Sequence, residues 1–369
     1  MAKPQELRMP GYDFFFWPYE EQTKMKHKVL VEYFKVWATK LGKYSVINFF
    51  DCHGGCGAYL DAGSPFWGSS ILVANAAQEL YKSQGRDIRK VRIFVAEVEH
   101  GNCENLTKVI EYCSPVCKPR IVEMTFEDAV TKENHKKLYT ETPSLFFIDP
   151  FGFSLDYSIL RQIRCNQRNE LLINFMFDYI NRFLGLPELA VNFDTLFGCQ
   201  DWRDAITLEG AEREQRIVEI FRRQLKLLGK YVFPYKVSFY DKDRTYYYLF
   251  HVTDHYDGCS IMKSCFTSLN NGKVEYLGNR SDRITLFDLD EFKLEDAKEF
   301  LLRRFSGKKL TFTGVNEQII EDTMYPEKDI RKALKSLKTE GKIQTVPVTS
   351  KTASGLSGDD LIIFTEAAV

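Results

Sequence analysis

Two short strings in this 369-residue chain carry residue types that do chemistry only when a fold brings strand ends together. The first is Asp51-Cys-His-Gly-Gly-Cys-Gly57, whose glycines at 54, 55 and 57 let the backbone turn sharply and approach a ligand with no Cβ in the way. The second is Phe147-Ile-Asp-Pro-Phe-Gly152, in which a carboxylate, a proline-fixed carbonyl and an aromatic face follow one another. Methylation of an exocyclic amine needs those three parts. Asp149 would accept the N–H, the Pro150 carbonyl would fix the amine, and Phe151 or Phe153 would stack on the base. Between the strings stands Glu97, whose two oxygens can accept hydrogen bonds from both hydroxyls of a ribose, with Glu99 as a rival for that role. Forty residues separate Gly57 from Glu97, about twice the usual interval of dinucleotide-binding units. Tyr59–Ser69, with Gly63-Ser-Pro65 inside it, therefore reads as an insertion that delays the next helix. Further on, Glu127-Asp128 can bring an acid or an amide to an adenine edge, or can cap a helix N-terminus. Asp128 is assigned to the adenine.

The elements that must position these residues follow from apolar spacing. Met25, Val29, Leu30, Tyr33, Phe34, Trp37 and Leu41 recur at helical intervals, and Gly42 closes that helix. The first thirteen residues read as a loose leader. Strands are expected at Ser45–Asp51, Val91–Val95, Arg120–Met124, Leu145–Asp149 and Leu171–Phe175, with helices at Pro65–Tyr81 and Cys103–Tyr112 between them. Such alternation implies an α/β fold with a doubly wound, largely parallel sheet. Val232–Tyr240 and Tyr246–Thr253 then read as an antiparallel hairpin around Asp241–Thr245. A parallel sheet closing on a late hairpin is what many S-adenosylmethionine (SAM) methyltransferases use, whereas a nicotinamide-binding sheet more often finishes parallel. From about Phe292 a helix, a strand, two helices and two strands around the Thr349–Gly358 loop spell a winged helix. The expected domains are an N-terminal helical extension (1–44), a Rossmann-like methyltransferase domain (45–290) and a winged-helix domain (291–369).

Composition narrows the classes. Lys plus Arg number 50 against 51 Asp plus Glu, a net charge of -1, which excludes a histone-like cationic protein but not a basic patch. Residues 293–343 hold twelve Lys/Arg against nine Asp/Glu. Lys328, Arg331, Lys332, Lys335, Lys338 and Lys342 recur along the last helix, where they suit DNA or RNA phosphates; the charged outer face of a protein-docking module is the alternative. The longest apolar runs fall well short of the roughly 20 residues of a membrane span, and no signal-like segment opens the chain, so a cytoplasmic protein is expected. Nine cysteines, odd and scattered, argue against a disulfide framework. The spacing of Cys52/Cys56 and Cys113/Cys117 is compatible with zinc, yet each pair brackets a turn, and reduced thiols with no metal are expected.

Thr23-Lys-Met-Lys-His27, Asp51 through Gly57, Gly63-Ser-Pro65, Glu97, Phe147 through Gly152 and Glu170-Leu-Leu-Ile-Asn-Phe175, taken in order, resemble the three-Cys-motif partner proteins (TcmP) over roughly residues 20–270. The resemblance implies a Rossmann-type SAM methyltransferase fold encoded beside a separate three-cysteine protein, its partner. It also implies that SAM lies over Asp51, His53, Gly55 and Gly57, with its ribose on Glu97. That family's loop typically reads Asp-x-Phe-Ala-Gly-Pro-Gly; His53, Gly54 and Cys56 replace the Phe, Ala and Pro, so the turn survives with different packing over the cofactor. Lys24 and His27 match the family's Lys-His pair, and with Lys26 could close over the cofactor or a phosphate. The Asp-Pro-Phe-Gly string is also similar to that of transfer-RNA guanine-N2 methyltransferases. The leading expectation is a SAM-dependent methyltransferase acting on an exocyclic base amine of nucleic acid. A non-catalytic subunit that binds SAM or nucleic acid beside the three-cysteine protein is the alternative, favoured by the altered loop and by the lack of a second Pro and a Tyr after Asp149-Pro150. A nicotinamide dehydrogenase is disfavoured by the long interval and the late hairpin.

Overall fold

A computed structural model describes residues 4–238, 244–268, 294–323, 325–348 and 356–365. The chain divides into two compact units between Gly258 and Cys259. The expected domain boundary at 290/291, the hairpin tip from 239 to 243 and most of the expected wing loop lie outside the described residues.

The first unit begins with β1 (Trp17–Pro18), α1 (Glu21–Leu41), β2 (Ile47–Asp51), β3 (Ala58–Asp61), β4 (Ser64–Trp67) and α2 (Ser69–Ser83). Next come β5 (Val91–Glu97), α3 (His100–Cys113), β6 (Arg120–Glu123), α4 (Phe126–Thr131), α5 (Glu133–Thr140), β7 (Ser144–Ile148) and α6 (Tyr157–Ile163). It continues with β8 (Glu170–Phe175), α7 (Phe177–Phe183), α8 (Ala190–Phe197), α9 (Gly210–Lys226), β9 (Tyr231–Ser238) and β10 (Thr245–Thr253). Seven of these strands form one sheet in the order β6-β5-β2-β7-β8-β10-β9. The first five are parallel, and β10 runs antiparallel to both β8 and β9. Strands buried on both faces need continuous apolar runs, and β7 (Ser144-Leu-Phe-Phe-Ile148) is buried at every position. The late hairpin thus completes one edge of the sheet, with β10 between β8 and β9.

The insertion after Gly57 is a β-hairpin, not the start of a helix. Pro65–Trp67, expected to be helical, belongs to β4, an edge strand that pairs only with β3; proline is tolerated there because no ladder donor is missing. Ala62 and Gly63 turn the hairpin with positive φ (47° and 77°). The first residues are not a loose leader either. Leu7 and Phe16 exchange backbone hydrogen bonds, and Trp17-Pro18 adds a parallel strand to β3. The hairpin closes at its base, where the Gly68 N–H donates to the Gly57 carbonyl at 2.8 Å. This return delivers the N-terminus of α2 to the end of β2 and accounts for the forty-residue interval.

The second unit takes in most of α10 (Tyr256–Ser268), then α11 (Leu294–Phe305), β11 (Lys309–Thr311), α12 (Phe312–Ile319), α13 (Glu327–Thr339), β12 (Ile343–Val346) and β13 (Leu361–Phe364). Its sheet has the order β11-β13-β12, antiparallel throughout. Leu301, Phe305, Val315, Ile330, Leu334 and Phe364 share its core. This is the winged-helix order read from the sequence.

Candidate functional site

Strand order reverses at β2, where the chain winds outward to β5 and β6 and then crosses to β7. Open α/β sheets hold ligands outside the carboxyl ends of strands at such a point. A cavity of about 370 Å³ lies there. His53 and Cys52 reach it from the glycine loop, Glu97, Val98 and Glu99 from the end of β5, Asn102 from α3, and Thr125, Phe126 and Glu127 from the end of β6. Phe151 and Ser154 line it from the segment after β7, and Pro4 and Trp17 from the N-terminal segment. Three carboxylates face this space, and no Lys or Arg is among the described residues that line it.

Glu97 organises the loop beside it. One carboxylate oxygen accepts the Gly55 N–H at 2.7 Å and the other accepts the Glu99 N–H at 2.9 Å. The Asn102 side-chain amide donates to that second oxygen as well, at 3.4 Å, so the lone pair left for a ligand is on the oxygen that accepts from Gly55. Gly55 has φ +58°, and a Cβ there would lie 2.9 Å from a Trp17 ring carbon. Both its conformation and its neighbour therefore demand glycine. Gly57 (φ +78°) faces Leu106 in the same way. Asp51 is 1% exposed and accepts a hydrogen bond from the Ser69 hydroxyl at the start of α2, while its Oδ1 is buried with no hydrogen-bond partner. Burial pushes its carboxyl up to about 7, against the Ser69 bond. His53 Nδ1 is likewise buried and unpartnered, and burial lowers that imidazole to about 4.

Asp149 follows β7 directly. Its Oδ2 pairs with the Lys26 ammonium and its Oδ1 accepts from the Asn174 amide at 2.5 Å. Burial alone would raise its carboxyl, but Lys26 above all, then Asn174 and His53, hold it below the ordinary value. Phe151 is 52% exposed and meets Trp17 edge to face at 6.0 Å. Phe153 packs instead against Tyr179 and Phe193. Gly152, with φ +75°, lies under the Tyr179 ring.

The structure brings together His53, Glu97 and Phe151 around the cavity, with Asp51, Gly55 and Gly57 behind its wall and Asp149-Pro150 beside Phe151. It does not bring in Asp128, which is exposed and whose amide donates to the Thr125 hydroxyl as a helix cap. Glu127 is the lining residue there, its carboxyl raised by burial. The first helix also differs from expectation. Lys24 pairs with Asp61 of the hairpin at 2.7 Å, and His27 is buried, lowered to about 3 by that burial, with Nδ1 3.0 Å from the Tyr19 hydroxyl. None of Lys24, Lys26 and His27 lines the cavity. Trp17 and Asn174 were not singled out in the sequence. Trp17 carried a signal in the aromatic run Phe14–Trp17, and Asn174 was a polar residue in the apolar strand Leu171–Phe175.

Four of the buried thiols take separate backbone carbonyls: Cys52 that of Phe50, Cys56 that of Ala58, Cys103 that of Glu97 and Cys117 that of Val91. Among the described residues no group of three or more His, Cys, Asp or Glu could hold a metal ion. No described helix is long and apolar enough to cross a membrane.

On α13 of the winged helix, Lys328, Lys332, Lys335 and Lys338 are exposed. Arg331 does not join them. It donates to the Leu356 carbonyl, pairs with Glu327 at 2.8 Å and lies 4.0 Å from the Phe312 ring centroid. Lys332 has Asp329 at 3.5 Å.

A family model described as the GMT-like wHTH domain matches residues 275–350. No curated protein matches the chain. Among solved structures, a Legionella pneumophila protein is similar at 10% identity and a TM-score of 0.43, over 68% of this chain and 93% of its own. M. jannaschii TYW2 in complex with AdoMet is similar at 9% identity and 0.35, over 68% and 87%. Precorrin-6y C5,15-methyltransferase from Geobacter metallireducens is similar at 12% identity and 0.32, over 60% and 87%. The strand order itself assigns the fold: an α/β sheet of Rossmann-like methyltransferase topology with a late antiparallel hairpin, followed by a winged-helix domain.

Proposed function

We propose that the chain is a SAM-dependent methyltransferase acting on nucleic acid, at an exocyclic base amine. The carrying observation is the charge of the switch-point cavity. Glu97, Glu99 and Glu127 face it without a Lys or Arg among its described lining residues. Such a lining offers no side-chain cation to a pyrophosphate and adds three carboxylates against it, and suits a cofactor with ribose hydroxyls and a positive charge of its own. The unpartnered Asp51 Oδ1 and His53 Nδ1 also fit a ligand rich in polar groups.

SAM, when bound, supplies an electrophilic methyl group. The chain's residues bind and orient. Glu97 accepts from the ribose hydroxyls with the lone pair left on its Gly55-bound oxygen, while Phe126 and Met124 offer apolar surface to the adenine, with Glu127 in the place assigned to Asp128. Phe151 gives the extruded base a stacking face. Asp149, held below the ordinary carboxylate range, acts as a hydrogen-bond acceptor and not as a general base. It and the Pro150 carbonyl orient the amine, and the amine's proton leaves to water. Lys328, Lys332, Lys335 and Lys338 meet backbone phosphates. Asp149→Ala is expected to keep SAM affinity in calorimetry while losing at least about a hundredfold in transfer of labelled methyl to DNA or RNA, roughly 2.7 kcal/mol. Transfer at the wild-type rate would remove Asp149 from the reaction.

A second reading has one observation in its favour: Lys26 and Asn174 already engage both Asp149 oxygens. In that reading the chain is a non-catalytic SAM- or nucleic-acid-binding subunit of a three-cysteine protein. Methyl transfer to no DNA or RNA, with that protein present and SAM bound, would favour it.

A further inference from the structure

The Asp149 carboxylate is held by groups that the chain supplies from far apart. Lys26, on α1, lies 123 residues from it, and Asn174, on β8, lies 25 residues away. The Lys26 side chain is 9% exposed, and its ammonium also stands 5.7 Å from the Tyr247 ring centroid. A surface lysine makes loose ion pairs that stabilise little. A lysine buried to this degree gives up hydration for one fixed partner, and removing either member leaves a buried charge uncompensated.

At pH 7 the surroundings leave that role to no other cation. His27 on α1, Asp51 on β2, His53 in its loop, Tyr59 on β3 and Tyr246 on β10 also bear on Asp149. Burial lowers His27 to about 3 and His53 to about 4, so both are neutral at pH 7. Burial raises Tyr59 and Tyr246, which stay protonated, and Asp51 contributes only negative charge. Lys24 is turned away to Asp61 and Glu21. Lys26 is the positive charge beside Asp149 among the described residues.

We propose that Lys26 is a positioning residue for Asp149: with the Asn174 amide it fixes the carboxylate plane and keeps it an acceptor for the substrate amine. Two of the four lone-pair sites are taken, one on each oxygen, and two remain for the N–H of an incoming base. The role of that acceptor rests on the methyl-transfer reading; the hold of Lys26 on Asp149 does not.

The test therefore has a readout that needs no reaction. Protein labelled with 13C at the Asp carboxyl carbons is titrated by NMR, and the Asp149 signal is assigned by its loss in Asp149→Asn. The wild-type carboxyl is expected to titrate below the ordinary Asp value of about 3.9. In Lys26→Met its midpoint should rise by at least about one pH unit, because burial then loses the main cation that opposes it. Lys26→Arg should restore a depressed midpoint. In methyl-transfer assays at saturating SAM, the acid limb of the kcat–pH profile of Lys26→Met should move to higher pH by the same amount as the carboxyl midpoint, with kcat recovering once the carboxyl ionises and with unchanged affinity for SAM. A wild-type midpoint at or above the ordinary value would overturn the proposal, even if Lys26→Met does not fold. So would an unchanged midpoint in a folded Lys26→Met. Absence of methyl transfer in every variant would count against the functional reading alone, and the titration would still decide the role of Lys26.

Discussion

Glu97 does two jobs with one side chain, and they can be separated. Its carboxylate ties the glycine loop through Gly55 and the start of α3 through Glu99, and in the proposed function it also takes the ribose. Glu97→Ala should weaken SAM binding at least about tenfold, or roughly 1.4 kcal/mol, in calorimetry. It should also lower the melting temperature, since two backbone donors lose their acceptor. Glu97→Gln keeps a carbonyl for one donor and should lose ligand affinity with less loss of stability. Asp51 gives a pH signature of defined sign. Its folded value, about 7, lies above the unfolded one, so its contribution to stability is full below the unfolded value and is lost as pH rises through about 7. Urea midpoints should fall between pH 5 and 8, by an amount on the order of a few kcal/mol at most, and Asp51→Asn should flatten that slope. Asp149 has the opposite sign: its contribution is lost only as pH falls through its depressed value.

At the scale of elements, the glycine loop is read best from what presses on it. Gly55→Ala combines an unfavourable left-handed backbone with a clash on Trp17, and should cost at least about 1 kcal/mol in urea denaturation. Adding Trp17→Ala relieves only the clash, so the pair should be less than additive. Equal effects of Gly55→Ala with and without Trp17 would mean that the ring does not rest on the loop. The sheet was legible because buried parallel strands are continuous apolar runs ending in polar, glycine-rich turns, as at Ser45–Gly57. The hairpin was not, because Pro65 suits the first turn of a helix as well as an edge strand, and only pairing with Ala58–Asp61 decides between them. Glu97 and Asp149 were legible for the same reason as the strands, since each follows the last apolar residue of one. Lys26 was visible only as a helix-face charge, because nothing local tells α1 that its partner lies 123 residues away. Asp128 and Glu127 are neighbours, and the Thr125 cap decided which of them faces the cavity.

On the whole molecule, a net charge of -1 hides an uneven distribution. The exposed lysines of α13 give the second unit a basic face, and affinity for DNA or RNA should fall steeply with salt. Lys332→Ala, Lys335→Ala and Lys338→Ala together should reduce the slope of log K against log salt by about one unit for each phosphate no longer neutralised. Arg331→Ala should lower the stability of the winged helix and leave that slope nearly unchanged, because its guanidinium is spent on Leu356, Glu327 and Phe312. Binding insensitive to salt and to the three lysines would assign this face to a protein partner.

The N-terminal segment has a further consequence, for synthesis. The side-chain amide of Asn105 accepts the Phe15 N–H at 2.7 Å and donates to the Phe15 carbonyl at 2.9 Å, across 90 residues. Translation runs at about 5–20 residues per second, so Phe14-Phe15-Phe16-Trp17 leaves the ribosome on the order of ten seconds before its anchor exists. Through that interval four consecutive aromatic side chains lack Asn105, and for its first half they also lack the strand Ala58–Asp61. A nascent chain stalled between residues 60 and 100 should therefore recruit holding chaperones strongly, and should release them once residue 105 has cleared the exit tunnel.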